Sequence, residues 1–472
     1  MKISIENFKT IKCLNEFEIK PFNVLSGVNS AGKSSFIQLL LLMKQTIEVN
    51  SPNYQIFLKG DWFKVKKFKN ILHNYTDENL LKVSFLVNKS EFTNASKSSI
   101  ISLFNSIGDY DCKFEVEFKQ IEGLIKVSYL KVNFRFDRSD SKWIELNLQK
   151  GTEYSIETNN PAFIGGSQNI LKNVEVNFNS IFPKSLNYKK ENKTLDIDGK
   201  PALESEYIST AFKLEYIEEV ISRYFKDLKY IGPIRHTPLK DYSISEIGKD
   251  VGKEGEYTAE LLATKKDLPI VYSELKEEND SFEFIEKEKS LIECVKYWIC
   301  EKFNIAEDIY SKSNGELYDI MVVQHGGLEV NIRHVGFGIS QILPIVVQGL
   351  LTPKNGTFII EQPEIHLHPK VQSLIYDFLY SLTLNKRSII VETHSSHLIT
   401  RMRRRIAEDS SDLMDDQISL TFIEDNTFKT LTIDDYGILD HYPKNFIEAE
   451  TSELSAIVKA QMKKKIRAKN DN

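Results

Sequence analysis

Phe22-Asn-Val-Leu-Ser-Gly27-Val-Asn-Ser-Ala-Gly32-Lys33-Ser34-Ser35-Phe36-Ile-Gln-Leu-Leu-Leu-Leu-Met43 is the stretch on which the fold turns. Phe22 to Leu25 reads as a strand that runs straight into Gly27. Gly27 to Ser34 then fills every fixed position of the pattern G-x-x-x-x-G-K-S. From Ser35 to Met43 the residues are apolar almost all round, which marks a helix buried in a core. Strand, glycine loop and buried helix are the context a phosphate loop requires. The glycines let backbone N–H groups turn inward around phosphate oxygens at the positive end of the helix. Lys33 can reach the outer phosphates, and the Ser34 hydroxyl can ligate Mg²⁺. The expected cofactors are therefore ATP and Mg²⁺.

Upstream, Ile3, Ile5 and Phe8 begin a strand pattern that Phe17-Glu-Ile19 continues. Downstream, alternation in Leu81–Val87, Phe114–Phe118, Ile125–Val132 and Val174–Phe178 predicts antiparallel strands. The serine- and asparagine-rich stretches Asn94–Ser99 and Ser180–Lys193 read as loops. Glu204–Lys226 and Phe282–Phe303 read as helical, and Tyr230-Ile-Gly-Pro-Ile-Arg235 as a strand ending in a turn. Strand patterns at 320–323 and 328–332 precede a helix over Gly336–Leu351. Thr357–Ile360 and Ser388–Val391 read as buried strands, each followed by a helix, Pro369–Leu384 and Ser395–Ile406. Strands alternating with helices at both ends imply a parallel sheet, with the middle inserted into it or laid over it.

Composition narrows the class. Hydrophobic residues at 41% and charged residues at 27% suit an ordinary folded, soluble protein. A net charge of −6 argues against a generally basic DNA-coating protein, though not against a local basic surface. Cys13, Cys112, Cys294 and Cys300 form no Cys-x-x-Cys pair, which suits buried thiols in a reducing compartment. The longest apolar run near the N-terminus, Leu39–Met43, falls far short of the roughly 20 residues of a membrane span. The expectation is a cytoplasmic protein without a membrane partner.

Three further segments carry chemistry. Glu361 ends the strand in Phe358-Ile-Ile-Glu361-Gln362-Pro363-Glu364-Ile365-His366-Leu367-His368-Pro369, where a nucleotide's magnesium is held. His366 and His368 have metal-ligand spacing, but a turn packing at a subunit interface is the preferred reading. Glu392-Thr393-His394-Ser395 closes another parallel strand, where such sheets bind ligands, so His394 is placed near a γ-phosphate or an attacking water. Val335-Gly336-Phe337-Gly338-Ile339-Ser340-Gln341 sets glycines and a serine at a helix N-terminus, a second anion-binding surface.

The order of Gly27–Ser34, Gly336–Gln341, Glu361–Pro369 and Thr393–His394 resembles the ABC-type ATPase heads of the RecF, SMC and OLD group. Asn7-Phe8-Lys9, Tyr230–Arg235 and Asp440–Phe446 make the likeness strongest to compact ATPases of bacterial anti-phage defence loci, including Septu-like pairs. The resemblance covers both ends of the chain well and the middle poorly. It implies an α/β fold: a P-loop ABC-type head with an antiparallel β lobe and an inserted mixed α/β region. The expected segments are 1–50 and 316–472 as the two parts of the core, 51–228 as β-rich lobe and insertion, and 229–315 as the return.

By position, Gly27, Asn29, Ser30, Ala31, Gly32, Lys33, Ser34 and Ser35 would bind phosphates, and Ser34 and Glu361 would hold Mg²⁺. Gly336, Gly338, Ser340 and Gln341 would form the signature that meets the γ-phosphate of a second subunit, with His394 as the switch histidine. Two departures stand out. Gly336 replaces the signature's serine, and Gln362 replaces the glutamate that polarises the attacking water. Losing a general base typically costs about 10²–10⁴-fold. Either Glu364 substitutes, or hydrolysis is slow and the protein acts as an ATP-held clamp.

The implied function is an ATPase whose head dimerisation controls a separately encoded effector, such as a nuclease, in anti-phage defence. The alternatives are a RecF-like DNA repair ATPase and a non-hydrolysing scaffold. A homodimer or higher homo-oligomer is expected. About 80 residues follow His394, fewer than the on the order of 100 a TOPRIM nuclease domain needs, so no such domain is expected. Basic clusters at Arg401, Arg403, Arg404 and Arg405, at Lys64, Lys66, Lys67 and Lys69, and at Lys463–Lys469 read as solvated faces, with DNA as the competing reading.

Overall fold

The computed structural model describes residues 1–28, 31–73, 79–88, 110–136, 144–151, 153–159, 169–195, 201–207, 211–235, 242–243, 250–278, 281–314, 317–409, 414–441 and 443. The chain forms two compact units. One comprises Met1–Lys20, Ser34–Lys229 and Thr352–Phe358, the other Pro21–Lys33, Tyr230–Leu351 and Ile359–Asn472. The fold is α/β with a large antiparallel sheet.

The first unit holds a ten-stranded sheet, antiparallel at every joint. The four expected strands lie within its members Leu80–Asn88, Tyr110–Ile121, Leu124–Phe136 and Ile170–Asn179. Leu81, Val83, Phe85 and Val87 are buried, as period-two alternation requires. Helix α1 (Lys33–Val49) is buried along most of its length up to Ile47, including Lys44, whose ammonium donates to the Glu48 carboxylate and the Phe225 carbonyl.

Three sequence expectations change. Residues 180–193, expected as a loop, are mostly the strand Phe182–Leu195, because pairing on both sides overrides the weak β-propensity of its Asn and Lys residues. Ser180 makes the turn before it, at φ +56°. Residues 204–207 complete the strand Pro201–Tyr207, and the helix begins only at Ala211. Residues 282–290 form the strand Ser281–Ser290, paired residue by residue with Pro269–Glu278. A capping box at Ser290 and Glu293 then starts a helix at Leu291. Asn94–Ser99 lies outside the described residues.

A six-stranded sheet carries the site. Its strands are β1 (Phe22–Gly27), β2 (Lys229–Ile231), β3 (Thr357–Glu361), β4 (Ser388–Glu392), β5 (Ile418–Glu424) and β6 (Thr427–Leu431), in the order β2-β3-β4-β1-β5-β6. Both β4 and β5 run parallel to β1, and β6 is antiparallel to β5. Helices α2 (Phe337–Leu351), α3 (Pro369–Leu384) and α4 (Ser396–Glu408) match the expected ones closely. No helix among the described residues is long and apolar enough to cross a membrane.

The arginine cluster on α4 is committed to protein partners. Arg405, 1% exposed, donates Nε to Asp377 Oδ1 at 2.9 Å and reaches Glu277, and its guanidinium lies 4.5 Å from the Phe282 ring centroid. Arg401 also binds Asp377, Arg403 donates to the Gly437 carbonyl, and Arg404 pairs with Glu408. This corrects the reading of a solvated face at Arg401 and Arg405, while Arg404 stays exposed as expected. Breaking a buried pair from one side typically costs about 3–5 kcal/mol. Because Arg401 remains on Asp377, Arg405→Leu is expected at the lower end, about 3 kcal/mol, in urea unfolding; a loss below about 1 kcal/mol would contradict it. Lys64, Lys66, Lys67 and Lys69 are exposed. Lys463–Lys469 lie outside the described residues.

Candidate nucleotide site

β1 delivers the phosphate loop. Gly27 has φ +139°, and a Cβ there would sit 2.1 Å from the Ile423 carbonyl oxygen, so both backbone and space demand glycine. Gly32 is also left-handed, at φ +113°. The buried Lys33 ammonium donates to the carbonyls of Gly27 at 3.0 Å and Val28 at 2.8 Å, folding the loop onto itself. Burial pushes its pKa down, opposed by Glu392. Asn29 and Ser30 lie outside the described residues. Ala31 is buried, and Ser34 and Ser35 open helix α1, where Ser35 accepts from the Thr10 hydroxyl at 2.8 Å.

β3 delivers the acidic end. Glu361 is 8% exposed and accepts the Tyr230 hydroxyl at 2.8 Å. Burial holds its carboxyl above the usual range, against the opposing effects of Tyr230 and Arg235. The next residue, Gln362, takes φ +46° and donates its N–H to the Glu392 carbonyl at 2.7 Å, tying the end of β3 to that of β4. Glu364 Oε1 accepts the His394 N–H at 2.8 Å, and Oε2 has no partner among the described residues. Burial raises the Glu364 pKa, opposed by the N–H groups of His394 and of Glu364 itself, by the Thr393 hydroxyl and by Arg235. The exposed His394 has its pKa lowered by partial desolvation and then by Lys33. Ser395 caps α4 through its Oγ, which accepts the Leu398 N–H at 3.3 Å.

Two residues to which the sequence reading gave no role complete the cluster. Tyr230 holds the Glu361 carboxylate, and Arg235 Nη2 donates to the carbonyls of Glu361 at 2.9 Å and Gln362 at 3.2 Å. The available signal was the stretch Tyr230–Arg235 itself.

The other candidates are placed differently. Ser340 and Gln341 are buried on α2, Gly336 has open space around it, and Gly338 lies against the turn at His366 and Leu367. His368 Nδ1 accepts the Lys370 N–H at 3.3 Å and caps α3, while His366 turns the chain at φ +61°. No group of three or more His, Cys, Asp or Glu among the described residues could hold a metal alone. A magnesium ion would therefore take most of its oxygens from phosphate and water, which suits that ion. The fit is chemical: the buried Glu361 carboxyl, strained toward protonation, would be relieved by a cation.

A parallel strand ending in a glycine loop, with an acidic strand end and a histidine turn beside it, defines a P-loop nucleotide-binding protein. The chain belongs to the AAA ATPase domain family, whose model matches residues 1–399. Among solved structures, it aligns with an SmcHead bound to the C-winged helix domain of ScpA at 10% identity, covering 92% of this chain and 97% of that one, with a TM-score of 0.40. An SMC head domain from Thermotoga maritima aligns at 8% identity over 92% and 98%, with a TM-score of 0.34. Superpositions this loose say nothing of ligand or partner. No curated protein matches the chain.

Proposed function

We propose that the chain binds ATP·Mg²⁺, hydrolyses it slowly, and uses nucleotide-driven pairing of two heads to control a separate effector in anti-phage defence. The observation that carries this reading is the turn after β3. It offers one half-buried carboxylate, Glu364, whose Oε2 lacks a hydrogen-bond partner among the described residues, and an amide, Gln362, where a base is expected.

In this reading Lys33 leaves its loop carbonyls for the outer phosphates, and backbone N–H groups of Gly27–Gly32 surround them. Glu361 and, by its place in the motif, Ser34 would hold Mg²⁺, which would supply charge neutralisation to the phosphates. Glu364 Oε2 accepts the proton of the attacking water. Its other oxygen accepts the His394 N–H, so a shift of the histidine turn changes the base's aim. Gly336 and Gly338 would face the second subunit's nucleotide. The buried pairing of Arg401 and Arg405 with Asp377 counts against these two residues as duplex contacts in a RecF-like role.

The test is ATP turnover and sedimentation of the full chain with and without ATP·Mg²⁺. Measurable slow turnover and an ATP-dependent dimer are expected, with Gln362→Glu raising kcat by about 10²-fold. Binding without turnover in both proteins would turn the reading to a non-hydrolysing scaffold. No ATP binding would end it.

A further inference from the structure

Arg235 is a buried cation to which the reading above assigns no role. Its side chain is 5% exposed, and its Nη2 bridges two consecutive carbonyls, those of Glu361 and Gln362. Its Nε and Nη1 have no hydrogen-bond partner among the described residues. Glu364 Oε2 is likewise without a hydrogen-bond partner among the described residues, and the Glu364 carboxylate acts on the guanidinium more strongly than Glu361 does. Unspent donors and an unspent acceptor thus lie at one half-buried turn.

Packing alone does not call for an arginine here, since burying unmatched donors is costly and an aliphatic side chain would fill the same volume. A guanidinium, unlike an ammonium, is a planar fork with five donors, so it can grip two carbonyls with one arm and keep the others in reserve. What it grips is the point where β3 ends and the backbone at Gln362 enters the left-handed region, φ +46°. Non-glycine residues hold that region only when their surroundings impose it. On one side of this turn is the Glu361 carboxyl, on the other Glu364 and, through its hydrogen bond, the His394 turn.

We propose that Arg235 is a positioning residue of the nucleotide site: it staples the Glu361–Gln362 turn so that Glu361 meets the magnesium of bound ATP and Glu364 keeps its aim. The proposal rests on the reading of the site as one for ATP·Mg²⁺. In this proposal Arg235 acts through the carbonyls of Glu361 and Gln362 that it holds.

The test compares wild type, Arg235→Gln and Arg235→Lys as full chains. Each is measured for affinity toward a fluorescent ATP analogue in EDTA and in Mg²⁺, for Tm, and for kcat and KM. In EDTA the variants are expected to bind within about threefold of wild type, since the phosphate loop is untouched. In Mg²⁺, Arg235→Gln is expected to lose about 10- to 100-fold of the affinity gain and of kcat, as removal of a metal ligand's supporting partner typically does. Arg235→Lys restores the charge but not the fork, and should recover only a minor part of either. Should Arg235→Gln fail to fold, Arg235→Lys decides alone.

A full Mg²⁺ increment in the variant overturns the proposal. So does an equal loss in EDTA and Mg²⁺ together with a lowered Tm, which is the mark of a purely structural role. A wild-type chain that gains no affinity from Mg²⁺ overturns the ATP·Mg²⁺ reading itself, and the role of Arg235 with it. A normal increment in both wild type and variant sinks Arg235 alone.

Discussion

Glu364→Gln is expected to lower ATP turnover by about 10²–10⁴-fold, the usual worth of a general base, while ATP affinity stays within a few-fold. The exchange is nearly isosteric. A glutamine Oε1 can still accept the His394 N–H that Glu364 Oε1 now takes at 2.8 Å, so the histidine turn should hold. What disappears is the basicity of Oε2, the oxygen left unpartnered. The same substitution has a stability signature with a defined sign. Burial raises the Glu364 pKa, so the folded chain holds this proton where the unfolded chain has lost it. The stabilisation is therefore complete below the unfolded glutamate pKa and disappears as pH rises through the raised folded value. Above that window the glutamine variant should melt at a higher temperature than wild type without nucleotide, and the two should converge in acid. Turnover by the variant equal to wild type would remove Glu364 as the base and leave the hydrolytic water to another group.

Lys33→Ala should be more severe still, with kcat/KM falling by about 10³-fold or beyond detection. Removing one preorganised donor to a developing anion costs about 10²–10³-fold, and Lys33 also carries a full charge. In the nucleotide-free chain its ammonium is hydrogen-bonded to two loop carbonyls and favoured by the charge of Glu392. Alanine removes those bonds together with the burden of a buried charge, so Tm without ligand should move little. The ligand effect is what should vanish. A ligand at 100 times its Kd stabilises the folded state by about 2.7 kcal/mol, and ATP·Mg²⁺ should raise Tm in wild type but not in Lys33→Ala. An undiminished ATP-induced shift in the variant would place the nucleotide elsewhere.

Much of this was legible without coordinates, and the reason is local. From Phe22 to Met43, strand, loop and helix each announce themselves: β1 has no exposed residue, Gly27 has a φ no other residue tolerates well, and α1 has no exposed residue up to Ile47. The elements from Thr357 to Glu408 were equally plain, since short buried strands alternate with helices that carry their own caps at His368 and Ser395. Where local signals competed, they misled. The alternation Phe282-Glu-Phe284 was read as part of a helix, although its period of two belongs to a hairpin strand. The strand Ile418–Glu424 went unread, yet it supplies the Ile423 carbonyl against which Gly27 must be glycine.

The amino-acid order by itself determined the nucleotide loop, the α/β class and the candidates Glu361, Gln362, Glu364 and His394. Those depend on spacing along one strand or one turn, and short-range sterics set them. Only the tertiary structure decided which carboxylate oxygen is free, that Arg401 and Arg405 serve Asp377 rather than a partner, and that Arg235 grips a turn 126 residues away. Each of these is a hydrogen bond or ion pair between distant segments. Its partner is chosen by how the sheet is ordered, and no window of sequence contains both ends.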